Sequence, residues 1–125
     1  MKITVAADEK AGVADAVVEE LRRRGHEPIV HGALADGRAE QGIVCCWTGT
    51  GASIAANKVP GIRAALCADA ETAAGARKWN DANVLALSLR STSDALLAEI
   101  LDAWFNAGPS EDAEDVENVR HLDEI

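Results

Sequence analysis

Short aliphatic runs alternate along the chain with stretches in which apolar residues recur at helical spacing, and this alternation sets the expected elements. ITVAAD (3–8) reads as a first strand ending at an acid. Val13, Ala16, Val17 and Leu21 then repeat every three or four residues, Arg22 to Arg24 crowd the end, and Gly25 supplies a stop, which predicts a helix. PIVHG (28–32) is a second short strand, and GALADGRAEQ (32–41) is a polar loop or a short helical turn. GIVCC (42–46) reads as a buried third strand. TGASIAANK (50–58) starts a helix whose first turn is glycine and small residues, closed by VPG. IRAALC (62–67) is the fourth strand, and DAETAAGARKWN is a helix starting at Asp69 or just after it. ANVLALSL (82–89) is the fifth strand, and STSDALLAEILDAWFNAG is a closing helix with a Ser/Thr/Asp start and a glycine stop.

Strands alternating with helices of this length imply a mainly parallel sheet of five strands with helices on both faces. Ligands of such sheets sit outside the carboxyl ends of the strands. Asp8, Cys46, Cys67 and the 88–90 corner fall there. No internal repeat is visible and no linker precedes residue 107, so the expected organisation is one α/β domain over 1–106 and an acidic tail over 107–125 that could pack on a partner subunit.

Composition narrows the function classes. A chain of 125 residues is one domain by length, and 48% hydrophobic with 26% charged residues is an ordinary globular balance. Only 3% is aromatic, so Ala, Val, Leu and Ile must build the core. The formal charge of −9, from 21 acidic and 12 basic residues, argues against nucleic acid or an anionic membrane as partner, because both require a basic face. The acidic run SEDAEDVENVRHLDEI is expected as a solvated terminus. MKITVAADEK turns polar within eight residues, unlike a signal peptide, and no stretch approaches the roughly 20 apolar residues of a bilayer span. Three cysteines, two of them adjacent, make no disulfide framework, and a cytoplasmic location with reduced thiols is expected.

The chemistry concentrates in CCWTGTGASIAANK (45–58). A Walker loop needs G-x-x-x-x-G-K-[ST], and a dinucleotide fingerprint needs three spaced glycines with a later acid; neither is present. No second Cys/His pair stands at zinc-ligand spacing. What remains is a strand ending at Cys46 and a glycine loop at a helix N-terminus. Such an end favours an oxyanion or a phosphate and raises the thiolate fraction of a nearby thiol. A thiolate beside those N–H groups can remove a proton next to a carbonyl and stabilise the enediolate that forms. The alternative is an inert buried cysteine followed by a tight turn. Alternation points Cys45 to the opposite face, into the core, and a Cys45–Cys46 disulfide would be strained.

CWTGTGASIAANKVPGIRAALC followed by NDANVLALSLR resembles the type B ribose-5-phosphate isomerase and galactose-6-phosphate isomerase family. There a strand ends in C-G-T-G-x-G-x-S-I-A-A-N-K-x-x-G-I-R-A, and H-N-D-A-N-V-L-A-L-G-x-R follows. The resemblance implies a three-layer α/β/α Rossmann-like fold. It also implies a homodimer or dimer of dimers with sites at the subunit interface, a small sugar or sugar phosphate as ligand, and no cofactor or metal. The implied reaction is aldose–ketose isomerisation through an enediol. By the same resemblance Cys46 is the base and Thr48 the assisting hydroxyl, while Gly49, Thr50, Gly51 and Ser53 build the anion loop. Asp8 matches the acid of the family's D-H-A-G and Asn80 the asparagine of H-N-D-A-N; helix-end capping is the alternative for Asn80 and Asp81.

The departures are as informative. D-H-A-G is DEKAG here, with Glu9 and Lys10 where a histidine is lost. The histidine of H-N-D-A-N, which in the family opens the furanose ring, is Trp79, and the glycine after the base is Trp47. The Y-P-D-Y segment is missing, and the C-terminal G-R-H-x-x-R survives as Arg120 within VENVRHLDEI. The proton-transfer half of the machinery is present and the ring-opening half absent. A four-carbon sugar phosphate, which forms no stable furanose with its terminal oxygen esterified, would need no ring opening; Lys10, Arg90 and Arg120 are then the candidate anion partners. Trp79 could instead reshape the pocket for another sugar by stacking on it. The remaining alternative is a catalytically inactive paralogue or sugar-binding partner subunit.

Overall fold

A computed structural model describes residues 1–7, 12–30 and 39–125. Strands β1 (Lys2–Ala7), β2 (Glu27–Val30), β3 (Gln41–Cys46), β4 (Ala64–Leu66) and β5 (Val84–Ser88) form one sheet in the order β2-β1-β3-β5-β4, with every described pairing parallel. The helices are α1 (Gly12–Arg23), α2 (Thr50–Ala56), α3 (Ala70–Asn80), α4 (Asp94–Asn106) and α5 (Ala113–Glu124). α4 packs between α1 and α3 on one face of the sheet, and α2 packs on β3, β4 and β5 from the other, giving the expected three-layer α/β/α fold.

Period-2 alternation assigns the two faces. Ile3, Val5, Ile43, Cys45, Leu85 and Leu87 point into the core, where they meet Val17 and Leu21 of α1 and Leu97, Ile100, Leu101 and Trp104 of α4. Each of these larger side chains contributes about 1.5–3 kcal/mol by leaving water. Trp104 is placed in that core, and its Nε1 donates to Gln41 Oε1 at 2.9 Å, so the one polar atom of the ring keeps a partner. The expected helix starts hold: Asp69 accepts from the Thr72 amide at 2.7 Å and Ser93 from the Leu96 amide at 3.1 Å.

Two segments differ from the sequence expectation. β4 spans three residues rather than six, because Ile62 is drawn into a turn by the Val59 carbonyl and the amide of Asn57 occupies the outer edge of Ala64. The acidic run expected as a solvated tail carries α5, which lies against α3 and is tied to the sheet end by Arg63 Nη1–Asp123 Oδ1 at 2.9 Å. Glu114 and Asp115 in its first turn suit the positive end of a helix, and none of its residues is buried.

Candidate active site

β1 and β3 are neighbours, and their connections depart to opposite sides: α1 leads outward to β2, whereas α2 leads across β5 to β4. The carboxyl ends of β1 and β3 therefore form the switch point where open α/β sheets bind ligands. An open cleft of about 470 Å³ lies at these two strands, lined by Ala6 and Ala7 of β1, Val44 to Cys46 of β3, and Gly51, Ala52, Ala55 and Ala56 of α2.

Cys45 is buried and Cys46 half-buried on the cleft side, as alternation requires. The Ala52 amide donates to Cys46 Sγ at 3.4 Å. This contact follows from local geometry. Gly49 is the N-cap of α2, the first intrahelical bond is Ser53 N to Gly49 O at 3.1 Å, and the amides of residues 50–52 have no partner within the helix. The sulfur, on the strand beneath, takes the last of them.

The backbone leading into the loop is pinned by the end of β5. Leu89 N donates to Cys46 O at 2.9 Å, Arg90 N to Trp47 O at 3.0 Å, and Ser88 Oγ to the same carbonyl at 3.0 Å, with Ser91 Oγ donating to Ser88 Oγ at 2.8 Å. Gly49 then turns the chain at φ 81°, so close to β5 that an added Cβ would stand 2.5 Å from Leu66 Cδ1 and 3.0 Å from the Leu87 carbonyl carbon. Gly51 is different: a Cβ there meets nothing within 4 Å and would project into open space.

In the loop after Cys46, Thr48 Oγ1 and Thr50 Oγ1 are 2.8 Å apart on exposed residues, and Ser53 is half-buried in α2; none of the three is among the residues lining the cleft. Trp47 is 57% exposed, and Arg90 is exposed at the same sheet end, beside the Trp47 backbone. Asp8, Glu9 and Lys10 lie outside the described residues, although Ala7 immediately before them pairs with Cys45. Among the described residues no three His, Cys, Asp or Glu side chains gather to hold a metal ion, and no helix is long and apolar enough to cross a membrane.

Cys67, at the carboxyl end of β4, does not face the cleft. It is 1% exposed, and burial, reinforced by the Asp69 charge, pushes its thiol up to about 11. Native protein treated with iodoacetamide between pH 7 and 9 is therefore expected to alkylate at Cys46 and to leave Cys67 unmodified, as peptide mass spectrometry would read. Labelling of Cys67 at the Cys46 rate would contradict this burial.

The remaining expected residues are elsewhere. α3 runs back against the strands, so Trp79 and Asn80 at its end lie about 16 Å along its axis from its start beside the carboxyl edge. Gly42 N donates to Asn83 O, which places this corner at the amino ends of β3 and β5. Trp79 is 55% exposed and sets the edge of its six-membered ring against Gly75, with Lys78 Nζ 5.5 Å from its ring centre. Asp81 caps α3 in the left-handed region (φ 44°) and binds Arg63 and Arg77 through its carboxylate, while Asn83 holds Arg63 N and Gly61 O. Asp81 and Asn83 thus shape the corner, whereas Asn80 is exposed and shares a groove with Leu122 and Ile125. Arg120, on α5 near the same end, bonds Glu117. Within one chain, Trp79, Asn80 and Arg120 do not join Cys46.

The ribose/galactose isomerase family profile matches residues 29–125. The chain belongs to this family. Among curated relatives, the D-erythrulose-4-phosphate isomerase of Pectobacterium atrosepticum is 49% identical over 75 residues, which cover 60% of this chain and 49% of that protein. The galactose-6-phosphate isomerase subunit LacB of Clostridium acetobutylicum is 40% identical over 106 residues, covering 82% of this chain and 61% of that one. The chain thus spans about half to three fifths of the length of these family members. Solved structures in the family superpose over nearly their whole length. The ribose-5-phosphate isomerase B of Clostridium thermocellum gives a TM-score of 0.92 at 35% identity over 99% of this chain and 96% of that one. The Trypanosoma brucei type B enzyme gives 0.91 at 35% identity over 98% and 97%.

Three contributors to the geometry around Cys46 escape a motif reading. Ala52 offers only its backbone amide, and its sole signal is being third after the Gly49 cap. Ser88 bonds the Trp47 carbonyl from 41 residues away, and Ser91 bonds Ser88 in turn, through strand pairing no local pattern displays.

Proposed function

We propose that the chain is a sugar-phosphate aldose–ketose isomerase in which Cys46 is the base. The contact of the Ala52 amide with Cys46 Sγ, in a cleft at the switch point, carries this reading. The sulfur as thiolate takes the proton from the carbon next to the substrate carbonyl. The developing enediolate oxygen is held by hydrogen bonds from the loop, with the Thr48 hydroxyl moving the proton between the two oxygens. The half-exposed Cys46 thiol, its proton exchanging with solvent, then protonates the neighbouring carbon, which converts aldose to ketose without a cofactor.

The substrate we infer is a four-carbon ketose phosphate and its aldose isomer. The family's ring-opening histidine is replaced by Trp79, and an open-chain substrate makes that loss harmless. Similarity to a protein named D-erythrulose-4-phosphate isomerase points the same way. A homodimer with two-fold symmetry would bring the corner with Trp79, Asn80 and Arg120 from one copy to the cleft of the other, which is how we read their separation within one chain. Asp8, Glu9, Lys10 and Arg90 follow or adjoin strands that end at the cleft and remain candidates for substrate contact.

The test is a panel of four- to six-carbon aldose and ketose phosphates, with interconversion followed by NMR. Turnover is expected with the four-carbon pair and at least tenfold less with ribose 5-phosphate. Trp79→His is expected to raise kcat/KM on ribose 5-phosphate by roughly 10- to 100-fold. A second reading, a supporting subunit of a hetero-oligomer, is favoured by the loss of that histidine and by likeness to a protein named as a subunit. Turnover of no member of the panel would select it.

A further inference from the structure

We propose that Asn57 is a positioning residue whose side-chain amide fixes α2 over the sheet and so holds the Ala52 N–H against the Cys46 sulfur. The proposal rests on the isomerase reading for its functional consequence, and on geometry for everything else. α2 has seven residues, none of them buried. A helix this short has no stability of its own, and little apolar burial exists to orient it. Its placement must come from its ends.

The front end is held by Gly49 and the bonds from residues 88–90 described above. The back end is held by Asn57. Its Nδ2 donates to Ala64 O at 3.0 Å, and its Oδ1 accepts from Ala64 N at 2.8 Å. One planar amide thus pairs with both backbone groups of one residue, as a neighbouring strand would. β4 is an edge strand, so this clip also closes part of an edge that would otherwise be open to another chain. The same residue ends the helix, its own N–H bonding Ser53 O at 3.1 Å. The path from Ala64 to the sulfur is therefore short and rigid: side-chain amide, about one and a half turns of helix, Ala52 N–H, Cys46 Sγ.

The dependence rests on the last contact, a single N–H on the sulfur at 3.4 Å, which a swing of α2 away from the strand breaks. Asn57→Ala deletes both clip bonds. Asn57→Asp keeps an acceptor for Ala64 N and sets a carboxylate oxygen against Ala64 O.

The decisive readout is iodoacetamide labelling of each variant, with mass spectrometry assigning the modified cysteine and circular dichroism confirming the fold. When the Ala52 N–H no longer supports a negative sulfur, labelling at Cys46 is expected to slow by roughly tenfold, the effect of one hydrogen bond to a charged group. Cys45 and Cys67 should stay unlabelled, kcat should fall by roughly 10- to 100-fold, and KM should change little. A merely stabilising role gives the opposite sign: faster labelling at Cys46 with labelling of the two buried cysteines, which would overturn the proposal. Labelling and kcat equal to those of the parent would overturn it too. If Asn57→Ala does not fold, Asn57→Asp decides on the same measurements. Should the parent turn over no sugar phosphate, the isomerase reading fails by itself, and labelling still decides the role of Asn57.

Discussion

Cys46→Ala is expected to lower kcat for sugar-phosphate isomerisation by about 1,000-fold, roughly 4 kcal/mol of transition-state stabilisation, with KM almost unchanged. The split follows from where the sulfur acts. In the proposed role of base it would interact with the substrate chiefly while the proton is in flight, and loss of an interaction confined to the transition state appears in kcat. The fold should tolerate the change, because Cys46 stands half-exposed in a cleft already lined by alanines, so no closed cavity is created. Thermal unfolding should stay within a few degrees of the parent. A kcat near the parental value would remove Cys46 from the mechanism.

Gly49→Ala is expected to be the most damaging single methyl group in the loop. The residue sits at φ 81°, and a Cβ would enter a gap already filled by Leu66 and the β5 backbone. The left-handed conformation costs about 1–2 kcal/mol for a non-glycine residue. Overpacking adds about 1–3 kcal/mol more. A total of about 3 kcal/mol corresponds to a fall of roughly 10 °C in Tm for a domain of this size. Gly51→Ala, two residues on, is the control. It meets nothing within 4 Å, and alanine favours the helix by up to about 1 kcal/mol. Its Tm should not fall. Equal losses at both positions would show that the tight approach to β5 is not what the glycine at 49 serves.

How much of this was legible beforehand varies by element. GIVCC showed its strand, its end and its two-faced cysteines because alternation is a local signal, and the structure places Cys45 inward and Cys46 on the cleft. Asp69 and Ser93 announced their helices because caps are local too. The acidic segment hid its helix. Val116, Val119 and Leu122 stand at helical spacing, but acidic neighbours and the absence of burial gave them no contrast with a solvated run. The motif NDANVLALSLR was readable as a unit, yet it spans β5 from end to end. Asn80 precedes the strand at one edge of the sheet, and Arg90 follows it at the other. Residues adjacent in a motif are therefore remote in a single chain. Spacing also could not separate Asn80 from Asp81 and Asn83, whose side chains bind Arg63 and shape the corner.

The cleft itself depended on topology. Only the sheet order, with β1 beside β3 and the connections diverging, brings Ala6 and Ala7 opposite α2. Backbone contributions were invisible for the same reason: Ala52 acts through an N–H that every residue but proline carries.

The most direct test of Cys46 as the proton carrier is isomerisation of the four-carbon pair in deuterium oxide, with the carbon-bound label read by NMR. Deuterium appearing at the carbon that receives the proton, with parent enzyme and not with Cys46→Ala, is the expected result. Labelling and isomerisation by Cys46→Ala at the parental rates would contradict it.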